Sequence, residues 1–391
     1  MKRNTLHLLI LLSVLVPFNL SAQSMLAAAK KDGKWGFINE KGAWIIPPKY
    51  DKVLSFKDGL AAANKGYTYN PKAVDKCFPG KWGFINTKGE WVIKPKFESV
   101  SSFQEGLAKV NIGAAYRNYQ GIQLMGGKWG FLQKDGTWFI EPNDTLFANF
   151  SEGLCAFKVP KGSYWGYMDK NKKVVVKPVY WAAHDFHEGL AAVMQQDFTF
   201  IFINKSGKQA FPKAYQKAFE FANNRAFVKE TTGLPTFIDT RGTYFFKIEN
   251  LIKDENIHLK FSEGLVKIPI QTTGNIKVGF ADITGKWIIK PIYDLADDFH
   301  ESLALVFKDR VYHFIDKKGK EIIDLKSEYV ENPKTKIIFK GIPHPNLGYF
   351  SEGLCRVKDI DKWGFIDKSG QVAIPFQFEN VLDFTKVEEE K

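Results

Sequence analysis

Residues 34–42 read KWGFINEKG, residues 81–89 read KWGFINTKG, and residues 362–370, near the other end of the chain, read KWGFIDKSG. Six further copies are recognisable by position. They begin KWGFLQ at 128, YWGYMD at 164, TFIFIN at 199, LPTFID at 234, KVGFAD at 277 and VYHFID at 311. Trp35 and Trp82 are 47 residues apart, as are Trp82 and Trp129, whereas Trp129 to Trp165 is only 36, the difference lying in loop insertions. A period of this size marks a repeat architecture, in which one copy cannot bury its own apolar face and relies on its neighbours.

Each piece of the unit has a physical reading. WGFIN and the following apolar run (AWIIP, EWVIKP, KVVVKP, KWIIKP) are short, aromatic and β-branched, and a turn that usually ends in Gly separates them. That is a β-hairpin with a type I turn, Gly supplying the left-handed position. The string GLAKV before the next motif reads as a third strand paired against WGFIN. The Pro after the apolar run (Pro47, Pro95, Pro142, Pro178, Pro291) is expected to end pairing, having no N–H to donate. A stretch such as FESVSSFQEG then crosses to the next unit, with Phe97 and Phe103 packing beneath it. The acidic residue of that stretch (Asp58, Glu105, Glu152, Glu188, Glu263, Glu352) reads as turn chemistry rather than catalysis.

Alternation along the strands puts Trp82 and Phe84 on one side and Gly83 and Ile85 on the other, so both faces are apolar and both must be covered. The expected fold is all-β. About nine three-stranded antiparallel meanders pack face to face in a curved, propeller-like or superhelical array over residues 23–387, followed by a polar tail at 388–391. Its structural core is expected to contain Trp35, Gly36, Trp82, Gly83, Trp129, Gly130, Trp165, Gly166, Trp363 and Gly364, each Gly admitting a neighbouring ring. The first and last units are well formed and the degenerate ones lie in the middle, which suits a closed ring, though nine blades exceed the usual four to eight. Closure stays open at this point.

The string K-W-G-F-I-[ND]-x-x-G-x-W-[VI]-I-x-P-x-[FY], followed by F-x-E-G-L-A, resembles the WG-repeat family of bacterial proteins. The resemblance runs over residues 26–384. It is specific in units one, two, three, four, seven and nine, whereas Phe200-Ile201, Pro235-Thr236 and Tyr312-His313 replace Trp-Gly in the others. It implies a β repeat of variable copy number and brings no catalytic residues with it.

The chain starts MKRNTLHLLILLSVLVPFNLSAQS. A basic start, a short apolar stretch from Leu8 to Val16 and small residues at Ser21-Ala22 read as a signal peptide cut after Ala22, hence export to the periplasm or beyond. The apolar stretch is too short to span a bilayer. Removing Lys2 and Arg3 takes the formal charge from +12 to +10, which suits anionic surfaces in general. Lysines are spread through the turns (Lys41, Lys88, Lys134, Lys205, Lys318, Lys368), which speaks against a nucleic-acid stripe. Cys77, Cys155 and Cys355 are too few and scattered for a disulfide framework; they read as small buried residues, one disulfide being open in an oxidising compartment.

No GxSxG, HExxH, CxxC or phosphate-binding glycine loop occurs. His187 and His300 share one repeat position without metal-ligand spacing. No enzyme activity, cofactor or metal is therefore expected. Two first-hairpin loops are swollen, 64–80 and 111–127, and belong to consecutive units. They carry Tyr67, Tyr69, Tyr116, Arg117 and Tyr119, residue types enriched at binding hot spots, on the side where repeat proteins place insertions. A further irregular stretch, 326–350, reads as a long crossover. The function expected is a non-enzymatic exported scaffold that binds another protein or an anionic envelope polymer through these loops. The alternatives are a lectin-like glycan binder, for which the repeat-breaking Trp181 is the candidate, and a hydrolase with an unrecognised site.

Overall fold

The structure is a computed structural model and describes residues 24–68, 78–118, 122–230, 234–248, 250–252, 254, 257–325, 347–359 and 361–387. Residues 1–23, which include the expected signal peptide, Cys77 and residues 326–346 lie outside them.

The sixth motif position, Asn or Asp, sets each hairpin turn. The Asn39 side-chain oxygen accepts hydrogen bonds from the Lys41 and Ala43 amides at 3.1 and 2.9 Å, while Gly42 donates to the Asn39 carbonyl at φ 76°. That backbone conformation is cheap only for glycine. Asn86, Asn204, Asp282, Asp316 and Asp367 repeat the arrangement. A short polar side chain that satisfies its own turn is the reason for the [ND] in the motif.

The second unit shows how a sheet is built from this turn. Strands Lys52–Val53, Ala61–Thr68, Phe78–Ile85 and Trp91–Phe97 pair in that order, all antiparallel. The expected meander of three strands is therefore a blade of four, because two residues of the crossover pair as well. Nine such sheets arranged as a β-propeller account for the described strands, apart from one small ribbon, Ala115–Asn118 with Ile122–Met125. We number the blades 1 to 9 along the chain.

The glycine after Trp has a role different from the one the sequence suggested. Trp82 pairs with Phe97 and Phe84 with Ile93, so one residue faces three and the outer strand bulges over Gly83. A Cβ on Gly83 would lie 2.3 Å from the Ile93 carbonyl oxygen and 2.7 Å from Pro95 N. Gly36, Gly130, Gly166, Gly279 and Gly364 meet the same backbone. What approaches is thus the blade's own outer strand, not a neighbouring ring. Pro95 sits in this bulge and pairing resumes beyond it, so the Pro does not end the strand; a bulge is where a residue without N–H costs least.

The degenerate units obey the same geometry. In blade 8, His313 replaces Gly, no Pro follows, and the pairs His313 with Asp324 and Phe314 with Ile323 run without that bulge. In blade 6, Thr236 replaces Gly and its hydroxyl donates to the Phe246 carbonyl at 2.6 Å, turning the crowded contact into a hydrogen bond. In blade 5, Ile201 fills the position, and the outer segment keeps only bridges at Tyr215 and Gln209, leaving a three-stranded sheet.

Face-to-face packing is as the alternation requires. Ile85, Ala61 and Ala63 of blade 2 pack with Phe37 and Ile46 of blade 1, while Phe84 and Ala62 pack with Phe103, Ala108, Val110 and Leu132 of blade 3. Nine core clusters occupy the nine interfaces of a closed ring; an open array of nine blades would have eight. The ninth joins Ile38, Ala27 and Ala29 to Phe365 and Ile374. Closure is also made by strand pairing. Ser24–Lys31 in blade 1 takes Asn380–Val381 and Thr385–Val387 from the chain's far end as partners.

The cores are built of phenylalanine rather than tryptophan. Phe37, Phe84, Phe97, Phe103, Phe131 and Phe150 are at most 2% exposed, and no Trp is among the buried residues described. Trp35, Trp82, Trp129, Trp165 and Trp363 are half-buried and pack against the core clusters from outside, while their partner glycines are buried. Trp35, Trp129, Trp165 and Trp363 stand at the first or second residue of their strands. Cys155 and Cys355 are buried free thiols, and burial pushes the Cys155 thiol up to about 12.

The acidic turn residues do more than turn. Each adopts a left-handed φ near 50°, and its side chain reaches the next blade. Asp58 accepts from the Gly106 amide at 2.8 Å, Glu105 from Gly153 at 3.0 Å, Glu152 from Gly189 at 2.9 Å and Glu301 from Gly353 at 2.9 Å. Glu188, Asn223 and Glu263 complete a ladder of seven links from blade 2 to blade 9. Lys170, Lys205, Lys317 and Lys368 pair with the same carboxylates, so two lysines that read as solvated turn residues are inter-blade ties.

Two predictions follow from these contacts. Gly83→Ala, at an ordinary φ, should cost about 1–3 kcal/mol by overpacking alone, measured by urea unfolding, because its β-carbon would meet the Ile93 carbonyl oxygen at 2.3 Å. The second concerns acid. Burial alone would raise Glu152, Glu263 and Glu301, but their lysines and the neighbouring amides hold all three below the ordinary carboxylate value of 4.5. A depressed carboxyl contributes stability above its unfolded pKa and loses it as pH falls through its folded pKa. The triple Glu→Gln variant should therefore be less stable at neutral pH and show a shallower acid limb in thermal melts.

Candidate functional site

Antiparallel topology gives the ring two unlike ends. One carries the [ND]-x-x-G turns and the carboxylate ladder. The other carries the hairpins that join the Ala-rich strand of each blade to its Trp strand, including both swollen loops.

In blade 2 the loop begins as a continuation of the hairpin, with Tyr67 opposite Pro79 and Thr68 opposite Phe78. Its base is anchored by Asp51, whose carboxylate accepts from the Gly66 and Tyr67 amides at 2.6 and 3.1 Å and pairs with Lys34. Burial pushes the Asp51 carboxyl up, but Lys34 and the two amides outweigh it and hold it low. Beneath lies Asn64, fully buried, which donates to the Pro79 carbonyl at 3.1 Å. Blade 3 repeats the anchor with Glu98, which pairs with Lys81 and accepts from Gly113 at 3.1 Å, and with buried Asn111. Its loop then forms the separate ribbon, in which Tyr116 pairs with Leu124 and Arg117 with Gln123.

Of the five residues singled out from sequence, Tyr67 is half-buried with the Lys52 ammonium 3.8 Å over its ring. Tyr116 and Arg117 lie on the ribbon, while Tyr69 and Tyr119 fall outside the described residues. The loops thus occupy equivalent hairpins of adjacent blades. Sequence reasoning missed the anchors Asp51 and Glu98. Their signal was present: both follow the Tyr or Phe that ends the outer strand, one repeat apart.

The same position holds Trp181 in the fourth repeat, and there the end of the ring becomes aromatic. Trp181, 39% exposed, stacks on Phe198 at 6.1 Å and 16°, and Tyr164 meets it edge-on at 5.1 Å. Phe198 is 67% exposed at φ 64° in the blade 5 hairpin. A cleft of about 480 Å³ beside it is lined by Val179, Tyr180, Gln195, Gln196 and Asp197. Among the described residues no group of three or more His, Cys, Asp or Glu side chains is disposed to hold a metal ion, and no helix is long and apolar enough to cross a membrane. His187 and His300 each close a two-residue bridge, to Leu190 and Leu303.

The anchors can be tested directly. In Asp51→Ala the Gly66 and Tyr67 amides should exchange hydrogen faster, by mass spectrometry, while Gly113, held by Glu98, stays as slow as before.

No curated protein matches the chain by sequence. Among solved structures it is similar to the computationally designed Ika8 protein, at 11% identity over 83% of this chain and 95% of that one, with a TM-score of 0.41. It is also similar to BamB from Moraxella catarrhalis, at 9% identity over 70% and 83%, TM-score 0.38, and to Hsv2 of Kluyveromyces lactis, at 7% over 57% and 75%, TM-score 0.33. At these scores the likenesses carry no functional argument. The model of the WG containing repeat matches at six segments, 35–69, 82–114, 165–197, 202–231, 279–312 and 363–386. With its bulge-forming Trp-Gly pairs and [ND]-x-x-G turns on the page, the chain belongs to the WG containing repeat family.

Proposed function

We propose that this protein is an exported, non-enzymatic scaffold that holds a protein or an anionic envelope component on the hairpin end of its ring. The observation that supports the reading is the pair of enlarged hairpins on blades 2 and 3, each fixed at its base by a carboxylate and a buried asparagine. Fixing the base of each loop lowers the entropy that binding must cost there, which favours affinity. Export rests on the basic, apolar and small-residue order of the first residues.

Affinity capture of the mature protein from envelope extract tests this. A genuine partner is retained by the parent protein and lost when Tyr67, Tyr116 and Arg117 become Ala or when both loops are shortened. Undiminished retention of every partner by those variants would sink the proposal.

A second reading, a glycan site, is favoured by one observation: Trp181, Phe198 and Tyr164 form an aromatic cluster beside a cleft of mixed lining. Aromatic faces stack on sugar rings, and the Gln195, Gln196 and Asp197 side chains supply hydrogen-bonding groups there. Glycan-array binding abolished by Trp181→Ala but indifferent to the loop changes would support this reading over the first.

A further inference from the structure

The aromatic cluster between blades 4 and 5 departs from the repeat at two positions, and the two side chains meet. Backbone bonds fix the equivalence of the first. The Trp181 amide donates to the Met194 carbonyl at 2.9 Å, as the amides of Asp51, Glu98, Asp294 and Glu379 donate to the matching carbonyls of other blades. Each of those four carboxylates is taken up by bonds, to the Gly66, Gly113 and Gly33 amides or to the Lys277 ammonium. An indole in that place accepts none of them, and it stacks on Phe198 instead.

Phe198 is the second departure. Gln195 donates to the Thr199 carbonyl at 2.7 Å and Phe198 to the Gln195 carbonyl at 3.1 Å, the bonds that Asn39 and Gly42 make in the turn of blade 1. Glycine holds the left-handed position there, and again at Gly89, Gly207 and Gly370. A side chain makes that conformation costly, a bulky one most of all. Of the described residues other than glycine with a positive φ, Phe198 alone is apolar. At 67% it is also the most exposed large apolar side chain described. Neither the turn nor the core gains from a phenyl ring here, so its use lies in what it presents to solvent.

The surroundings set the ligand class. Trp181 and Phe198 lie nearly parallel, 16° apart, and the faces of such rings carry partial negative charge that attracts polarised C–H bonds. Gln195 and Gln196 line the adjoining cleft, and their amides both donate and accept, as sugar hydroxyls do. Asp197, also in the lining, accepts from the Thr199 hydroxyl and amide at 2.7 and 3.0 Å, bonds that hold it below the ordinary carboxylate range. It stands ionised at the site, where it accepts from hydroxyls and repels carboxylates, sulfates and phosphates.

We infer that this cluster binds an uncharged β-linked glucan, whose sugar rings carry axial hydrogens on both faces and equatorial hydroxyls at the rim. The inference rests on the glycan reading of the cluster and narrows it; the loops of blades 2 and 3 take no part.

Titration calorimetry of the mature protein with cellopentaose tests it, against the β-1,4-linked glucuronate pentamer, which keeps the ring configuration and adds carboxylates. Cellopentaose should bind saturably and at least about tenfold more tightly than the glucuronate, equivalent to ~1.4 kcal/mol. Asp197→Asn should narrow that difference. Trp181→Ala should weaken cellopentaose by about tenfold or more. Phe198→Gly should weaken it as much without lowering the melting temperature, because glycine relieves the backbone. Equal or tighter binding of the glucuronate would overturn the inference and leave the glycan reading intact. Absence of cellopentaose binding would overturn it too, and the glycan reading falls with it only if no signal on a glycan array depends on Trp181. Cellopentaose binding indifferent to the Trp181 and Phe198 changes, or a lower melting temperature for Phe198→Gly, would likewise overturn the inference.

Discussion

Burial on both faces is the constraint on which this protein depends. A blade with Phe84 on one side and Ile85 on the other cannot leave either side wet, since each such side chain is worth about 1.5–3 kcal/mol when buried. A row of blades satisfies every face but two, and a ring satisfies them all. The strands at 380–381 and 385–387 complete the first blade, so the ring is closed by the same backbone pairing that builds each sheet. This explains why the first and last units need no polar outer face, which an open array would require.

The second constraint is the crossing of each outer strand over the residue after Trp. Carbonyl oxygen within 2.3–2.6 Å of a would-be β-carbon leaves room for glycine alone in six blades. The chain also shows the three ways of living without that glycine: a hydroxyl that bonds to the crowding carbonyl (Thr236), a sheet without the bulge (His313), and an outer strand reduced to bridges (Ile201). Departures from the motif are thus local changes of blade geometry.

The ladder of side chains from each turn to the next blade's amides makes one end of the ring rigid and uniform. Serines add to it in the three units that read FSEG, where Ser151, Ser262 and Ser351 donate to the phenylalanine carbonyl of the following blade at 2.7, 2.6 and 2.9 Å. The hairpin end has no such obligation, so the insertions and the exposed ring cluster of Trp181 and Phe198 are found there. Loops on a rigid frame are where proteins place recognition, and here the division follows from which end the inter-blade bonds occupy.

Local chemistry was legible in the sequence because it needs only neighbours in the chain. The [ND]-x-x-G turns, the hairpin strands, the two-sided apolar pattern and the buried Phe97 and Phe103 all follow from residue order. So did the loops of blades 2 and 3 as insertions, although their anchors Asp51 and Glu98 went unnoticed: their shared repeat position was visible, but the amides they hold lie 15 residues away. Glu105 read as a turn residue and is one, but its bond to Gly153 spans 48 positions. Trp35 and its counterparts read as core and are covers, because strand alternation gives the face of a residue and not its depth between two blades. The sequence alone determined a stack of two-faced β units; only the tertiary structure decided that the stack closes at nine, since closure depends on the small angle between successive blades, a sum over packed side chains that no single repeat encodes.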